Sequence, residues 1–251
     1  MNGFPENKRY NSFVGYFRKV YGERLQKIVL DAGFTCPNRD GKVGRGGCTY
    51  CDNAAFHPAY STAGKSLCLQ IDEGIEFHKV RYRNAGCYLG YFQSFSNTYA
   101  PLERLKALYE EALSHPQVVG IVIGTRPDCV DEEKLDYISA LADGRVLKDW
   151  SRVIAGRERK APVVIMEYGI ESCYDSTLAR INRGHDFSCV RRAVSMTAER
   201  GLDMGAHFIL GLPGESKEML LEQTSLINSL PLRSAKFHQL QIVKGTKMEK
   251  E

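Results

Sequence analysis

The residues best suited to chemistry in this chain are three cysteines within the stretch FTCPNRDGKVGRGGCTYCDN, residues 34 to 53. Cys48 and Cys51 form a C-x-x-C pair, and eleven residues separate Cys36 from Cys48. Four glycines lie in that interval and allow the backbone to turn tightly beside a bound group. Because thiolates are soft ligands, the spacing predicts a site for zinc or for an iron–sulfur cluster.

The three thiolates leave two alternatives open. A structural zinc ion requires a fourth ligand, which His57 or Asp52 could supply. A [4Fe–4S] cluster held by three cysteines would instead keep one iron free for a substrate or cofactor. The spacing alone does not decide between them. The loop follows the first predicted strand, where α/β barrels place their chemistry, and this position favours the open cluster.

Alternating β and α segments must position this loop. Runs rich in β-branched and aromatic residues predict strands, and apolar periodicity predicts helices between them. The predicted strands are Lys27–Asp31, Cys87–Phe92, Val118–Ile123, Val163–Tyr168, Met204–Leu210 and Lys236–Val243. The predicted helices are Leu67–Tyr82, Leu102–Ser114, Glu132–Leu141, Phe187–Arg200 and Lys217–Ser229, with Pro101 and Asp131 as start signals. Six successive units predict an α/β fold, a partial (β/α)6 TIM-like barrel open on one side.

The composition suits a globular protein, since 43% of the 251 residues are apolar and 25% are charged. The net charge is +4, and residues 1–47 carry nine Lys or Arg against four Asp or Glu. A basic region of this kind suits an anionic partner such as RNA, or it is a solvated helix. The sequence shows neither the apolar segment typical of a signal peptide nor an apolar run that approaches a membrane span, and its eight cysteines predict a reducing, cytoplasmic location without a membrane partner.

Further motifs follow the predicted strands in order. They are YFQSFSNTYAP, VIGTRPDCV, EYGIES with LARINRGHDF, HFILGLPGE, and LQIVKGTKM. With these motifs and the cysteine loop, the chain resembles the radical S-adenosylmethionine (SAM) superfamily from about residue 21 onward. Within it the chain looks like the YhcC-like bacterial branch, which is similar to the radical SAM half of the Elongator catalytic subunit. The first cysteine spacing is longer than the usual C-x3-C-x2-C and points to these branches.

This resemblance implies a cofactor set and a group of site residues. Cys36, Cys48 and Cys51 would hold a [4Fe–4S] cluster whose open iron binds SAM, with flavodoxin or ferredoxin as the reductant. The residues implied around SAM are Tyr50 near adenine, Ser94 and Ser96 near the amino group, Glu171 and Arg183 for polar groups and the carboxylate, and His207 near the ribose. Glycines usual at "SFS" and an acid usual at Gly124 are absent, so two of these contacts depart from the family pattern.

Simpler interpretations exist for several of these residues. Glu171 and Arg183 could pair only with each other, and His207 could be a satisfied core histidine. The remaining residues with simpler interpretations are Cys68, Cys87, Cys129, Cys173 and Cys189 as buried hydrophobes, Arg126 and Asp128 as turn residues, Tyr10, Phe13, Tyr16 and Phe17 as a stripe packed on the barrel, and Gly144–Ala161 with Trp150 as an extra surface helix.

The function expected from this resemblance is reductive cleavage of SAM to a 5′-deoxyadenosyl radical, which abstracts hydrogen from a substrate. The Elongator-like resemblance and the basic region suggest a tRNA nucleoside as that substrate. A small molecule or peptide substrate is one alternative, and a zinc-stabilised nucleic-acid-binding protein is another. Residues 1–20 are expected to form a basic extension and residues 21–251 the partial barrel, which related chains continue at the C-terminal end.

Overall fold

The main sheet of the protein has six parallel strands. The computed structural model describes residues 9–80, 82 and 85–251. The strand bounds are β1 Leu25–Leu30, β2 Cys87–Phe92, β3 Val118–Thr125, β6 Val163–Glu171, β7 Asp203–Leu210 and β8 Ser234–Gln239, while β4 Arg152–Ile154 and β5 Arg157–Arg159 form a separate hairpin. The sheet order is β1-β2-β3-β6-β7-β8, so each strand lies beside the preceding strand of the sheet, and β1 and β8 form its two edges. This arrangement confirms the predicted partial barrel.

Helices connect the strands and cover the outer face of the sheet. Their bounds are α1 Phe13–Tyr21, α2 Leu67–Lys79, α3 Leu102–Ser114, α4 Glu132–Ala142, α5 Asp175–Arg180, α6 Phe187–Glu199 and α7 Lys217–Asn228. All five predicted helices are confirmed with small shifts at their ends, and α1 and α5 lie outside those five ranges. The side chains of Ser66, Asp131, Asp186 and Ser216 cap α2, α4, α6 and α7 by accepting a backbone N–H three residues ahead. Among the described residues, no helix is both long enough and apolar enough to span a bilayer.

The cap of α4 provides a test of local stability. Asp131 Oδ1 accepts the Lys134 N–H at 2.9 Å, and its Oδ2 lies 2.8 Å from Lys134 Nζ. We expect Asp131→Ala to lower the free energy of unfolding by about 1 kcal/mol, because the replacement removes the acceptor. Asp131→Asn retains an acceptor and should lose less. Urea unfolding at pH 7 measures both changes. An alanine variant with the same free energy of unfolding as wild type would show that this cap does not stabilise the protein.

The predicted surface helix between Gly144 and Ala161 is wrong. The segment instead forms a small antiparallel hairpin, β4 Arg152–Ile154 and β5 Arg157–Arg159. The two residues of its turn, Ala155 and Gly156, have φ angles of 47° and 74°, which a continuing right-handed helix excludes and a tight hairpin turn requires. Trp150 is only 8% exposed, and its Nε1 donates to the carbonyl of Leu113 at 3.2 Å, so the tryptophan anchors the segment on α3.

The interior of the barrel is apolar at the end where the strands begin. Phe17 of α1 is 2% exposed and belongs to the same apolar cluster as Leu25, Cys87 and Val163, the first residues of β1, β2 and β6. Ile154 of the hairpin belongs to this cluster as well. The prediction that the aromatic stripe packs on the barrel is therefore confirmed for α1. Residues 1–8 of the predicted basic extension lie outside the described residues. Polar groups lie at the opposite end of the barrel, where the strands terminate.

Candidate active site

The cysteine loop leaves β1 at its carboxyl end and is held there by Gln70 of α2. Gln70 is fully buried, and its Oε1 accepts the N–H of Asp31 at 2.9 Å. Its Nε2 donates to the carbonyls of Asp31, Thr62 and Lys65 at 2.9, 3.0 and 3.1 Å. These bonds fix where the loop begins. Sequence reasoning missed Gln70, because a polar residue within a helical pattern is most simply interpreted as solvent-facing.

Asn38 joins the loop to the chain that follows α5. Its buried side-chain amide donates to the carbonyl of Asn182, and Asn182 Nδ2 donates back to the carbonyl of Gly47 at 2.7 Å. A Cβ at Gly44 would lie 2.2 Å from Asn38 Oδ1, so this position requires glycine. The glycines predicted to permit tight turns therefore also admit the buried asparagine that sequence reasoning did not assign.

All three predicted metal ligands line one cleft at the carboxyl ends of the strands. This cleft has a volume of about 780 Å³ and contains Cys36, Cys48 and Cys51 in its wall. All three are free thiols; Cys48 is buried and the other two are half-buried. The five remaining cysteines lie away from the cleft wall. Four of them are buried, as expected, whereas Cys68 is half-buried.

The arrangement of donors differs from that of a closed zinc site. Among the described residues, no three His, Cys, Asp or Glu side chains converge as ligands of a single ion. A tetrahedral zinc would hold its sulfurs about 2.3 Å from one point. His57 is engaged elsewhere, with Nε2 at 2.7 Å from Ser94 Oγ and Nδ1 at 3.6 Å from Asp31 Oδ2. Asp52, the other candidate fourth ligand, lines the cleft with the cysteines. Three thiols on one wall fit a larger cluster with one open iron.

Arg183 contacts both the cysteine loop and β6. It is 6% exposed, and its Nη1 donates to Cys48 Sγ at 3.5 Å. Its Nη2 donates to the carbonyl of Gly169 and lies 3.7 Å from Glu171 Oε1. Burial alone would lower the pKa of Arg183, but Tyr50, Cys48 and Glu171 raise it well above its ordinary value. The expected pairing of Glu171 with Arg183 is thus present, and both residues also line the cleft.

Tyr50 and Glu171 occupy the same part of the cleft wall. Burial, followed by the negative charge of Glu171, raises the pKa of Tyr50 well above 10, so its hydroxyl keeps its proton. Glu171 has a φ angle of 72°, a left-handed conformation that costs energy outside glycine and is concentrated at functional sites. The strained backbone presents the Glu171 carboxylate at the end of β6.

A charged layer lies deeper in the barrel. Glu167 is buried and pairs with Lys27 of β1, and its Oε2 lies 3.0 Å from His207 Nε2 on β7. Burial alone would raise the pKa of Glu167, but the hydrogen bond from His207 and the charge of Lys27 hold it far below its ordinary value. His207 lines the cleft, as the ribose contact requires, and is also satisfied within the core. Both interpretations of His207 therefore agree with its position.

The two predicted serine contacts occupy different places. Ser96 is fully buried and lines the cleft. Ser94 is also buried, but its hydroxyl faces His57, and neither Ser94 nor His57 belongs to the cleft wall. The structure therefore brings Tyr50, Ser96, Glu171, Arg183 and His207 together around the cysteines and leaves Ser94 outside. A two-residue spacing along one loop carries no signal that would distinguish the two serines.

Arg126 is a cleft residue that sequence reasoning treated only as part of a turn. Its Nε and Nη2 donate to the two carboxylate oxygens of Asp128 at 2.8 and 2.7 Å, and Pro127–Cys129 forms a short 3₁₀ turn, as expected. The side chain also lines the cleft, and its Nη1 has no hydrogen-bond partner although the atom is buried. The position of a buried guanidinium at the cleft could not be read from the local pattern TRPD.

The fold and the cysteine wall together define a known class of enzyme. The family model of the Radical SAM superfamily matches residues 36–226, and the chain belongs to this superfamily. It is similar to protein YhcC of Escherichia coli strain K12, with 37% identity over 244 residues, 97% of this chain and 72% of that protein. It is also similar to protein YtqA of Bacillus subtilis strain 168, with 34% identity over 258 residues, covering 100% and 73% of the two chains.

More distant similarities extend to proteins named for tRNA and to solved folds. A tRNA uridine(34) acetyltransferase of Dehalococcoides mccartyi is 26% identical over 151 residues, 59% of this chain and 28% of that protein. The solved structure of Methanocaldococcus infernus Elp3 with an N-terminal deletion matches with a TM-score of 0.59 and 17% identity, over 90% of this chain and 48% of that one. The latter likeness shows a shared fold. The resemblance to the radical SAM superfamily and its YhcC-like branch is confirmed, and the chain is an enzyme of that superfamily.

Proposed function

We propose that this enzyme cleaves SAM reductively and uses the 5′-deoxyadenosyl radical to abstract a hydrogen atom from a nucleoside of tRNA. One observation carries the proposal. Cys36, Cys48 and Cys51 line a single cleft at the carboxyl ends of the strands. Four polar residues from other segments, Ser96, Glu171, Arg183 and His207, line it as well. We further propose that residues 21–251 form the catalytic unit. A reducing cytoplasm would keep the thiols free, with flavodoxin or ferredoxin as electron donor.

The family chemistry assigns separate tasks to the cofactor and to the protein. Cys36, Cys48 and Cys51 would hold the cluster, which when bound would supply the electron for reductive cleavage of SAM. The protein binds and orients. Tyr50, protonated at neutral pH, offers a ring and a donor hydroxyl to the nucleoside. The Glu171 carboxylate accepts hydrogen bonds from hydroxyl or ammonium groups, and Ser96 offers a hydroxyl from the neighbouring wall.

His207 is held in one orientation by the charged layer below the site. Because its Nε2 faces the Glu167 carboxylate, its Nδ1 is the nitrogen directed to other partners. Arg183 bonds to Cys48 and Gly169, which fixes the cysteine loop against β6. A carboxylate of SAM could reach the remaining N–H of Arg183 or the unpartnered Nη1 of Arg126.

Two features support tRNA as the substrate class. The similarity to a tRNA uridine(34) acetyltransferase is one of them. The other is the exposed part of the cysteine loop, which carries Lys42 and Arg45 at the surface, where basic side chains can contact phosphates.

The substrate proposal is tested by comparing tRNA nucleosides from a strain that lacks the gene with those from the same strain carrying the gene on a plasmid. We expect at least one modified nucleoside to disappear in the deletion and return on complementation. In vitro, unmodified tRNA should increase 5′-deoxyadenosine formation severalfold over SAM and reductant alone. Identical nucleoside profiles together with no stimulation by tRNA would contradict RNA as substrate, while SAM cleavage itself would still be observed.

A further inference from the structure

Three arginines surround the three cysteines. Arg183 Nη1 donates to Cys48 Sγ at 3.5 Å, and Arg39 Nη2 donates to the carbonyl of Cys51 at 2.8 Å. Arg126 lines the same cleft as Cys36. Burial lowers the pKa of Arg126 and its bond to Asp128 raises it, and Cys36 is among the groups that raise it further. Each thiol of the proposed cluster therefore has a guanidinium nearby.

Two of these guanidinium groups are buried and incompletely satisfied. Arg126 is 2% exposed, and Asp128 occupies its Nε and Nη2 and leaves Nη1 without a partner. Arg183 is likewise buried, and its Nε has no partner. An unsatisfied buried donor of a charged group is destabilising, so it is normally retained where a negative group completes the site.

The charged groups near the thiols are of both signs. Asp128 pairs with Arg126, Glu171 lies 3.7 Å from Arg183, and Asp52 also lines the cleft. The charged groups that bond directly to Cys48 and Cys51 are the guanidinium groups of Arg183 and Arg39. A [4Fe–4S] core on three thiolates has a net charge of about −1, and one further negative charge appears when it is reduced. Net charge and hydrogen bonds to the sulfurs are among the factors that set the reduction potential of such clusters.

We propose that Arg39, Arg126 and Arg183 form a cationic enclosure that raises the reduction potential of the cluster and so makes its reduction by a cellular donor more favourable. The proposal rests on the proposed function, since it requires that the three cysteines hold the cluster. In the step concerned, one electron passes from the external donor into the cluster. No thiolate bond breaks and no proton is taken up. The three arginines act as positioning residues through electrostatics.

The test is an anaerobic redox titration of the reconstituted protein without SAM, followed by electron paramagnetic resonance of the reduced cluster. We expect Arg126→Gln and Arg183→Gln each to lower the equilibrium constant for reduction of the cluster about ten-fold or more. For a one-electron couple this is a fall of about 59 mV in the midpoint potential. Arg39→Gln should lower the potential by less, because Arg39 is only half-buried and solvent screens its charge. Arg39→Lys retains the charge and should stay near wild type.

Arg200→Gln is the matched control, since Arg200 pairs with Asp136 outside the cleft wall. Arg39→Gln is the variant expected to keep its cluster even if the two buried replacements do not. Potentials equal to that of the control in every variant with full iron content would overturn the proposal. Wild-type protein without a cluster would instead refute the proposed function, so the two failures are distinguishable.

Discussion

Cys48→Ala should abolish both cluster binding and SAM cleavage. Cys48 is buried in the cleft wall, and the Nδ2 of Asn38 and the Nη1 of Arg183 lie 3.7 and 3.5 Å from its sulfur. Anaerobically reconstituted wild type should contain about four irons per chain, and the variant close to none. Formation of 5′-deoxyadenosine should fall by more than about 100-fold, because even the loss of an outer partner costs about 10- to 100-fold at metal sites.

Cys68→Ser is the matched control for this experiment. Cys68 lies on α2 away from the cleft wall, and its sulfur is 3.8 Å from the carbonyl of Glu111 and 3.9 Å from Ser114 Oγ, where a serine hydroxyl also fits. The control should keep the iron content, the brown colour and the activity. A Cys48→Ala protein that still binds four irons and cleaves SAM would contradict the proposed site. Colourless wild type with one zinc would favour the nucleic-acid-binding alternative.

Glu167→Gln should produce the largest change in stability. Glu167 is buried and pairs with Lys27 and His207 from two other strands. The replacement leaves the ammonium group of Lys27 without its counter-charge. We expect the free energy of unfolding at pH 7 to fall by about 3–5 kcal/mol, the usual effect of removing one partner of a buried ion pair. Denaturant unfolding followed by circular dichroism measures the difference.

The pH dependence of the Glu167 effect has a definite sign. The pKa of Glu167 in the folded protein lies below its ordinary value of 4.5, so its stabilisation is complete above pH 4.5 and declines as the pH falls below that value. The difference between wild type and Glu167→Gln should therefore be largest near pH 7 and shrink in acid. Glu103→Gln, at an exposed i,i+3 pair with Lys106, is the control and should change little. If the difference in the free energy of unfolding between wild type and Glu167→Gln were as large at pH 3 as at pH 7, it could not come from the charge of the Glu167 carboxylate.

The fold was predictable because the information about it is local. Strands rich in β-branched residues alternate with helices whose apolar residues repeat at helical spacing, and Asp131 marks a helix start by its own side chain. The cysteine loop was predictable because three thiols at fixed spacing after a strand have few other uses. The hairpin at 152–159 was missed because its two central turn residues, Ala155 and Gly156, both require positive φ, and Ala155 gives no sign of this in sequence.

The contacts that complete the site depend on residues far apart in the chain. Lys27 and Glu167 are 140 positions apart, and Asn38 and Asn182 are 144 positions apart. Each of these residues taken alone resembles an ordinary polar side chain on a strand or loop. Their partnership arises only when parallel strands bring their ends to one edge of the barrel. The same limit explains why Ser94 and Ser96 could not be distinguished and why Arg126 was assigned only to its turn.

Helix α1 covers the end of the barrel where the strands begin, because Phe17 packs against the first residues of β1, β2 and β6. The charged layer is reached through the cleft at the carboxyl ends of the strands, which Glu167 and His207 line. If the substrate is a nucleoside of tRNA, as proposed, it would have to leave its base stack to reach the cleft. The rate of turnover would then depend on how quickly the modified nucleotide is released from the cleft.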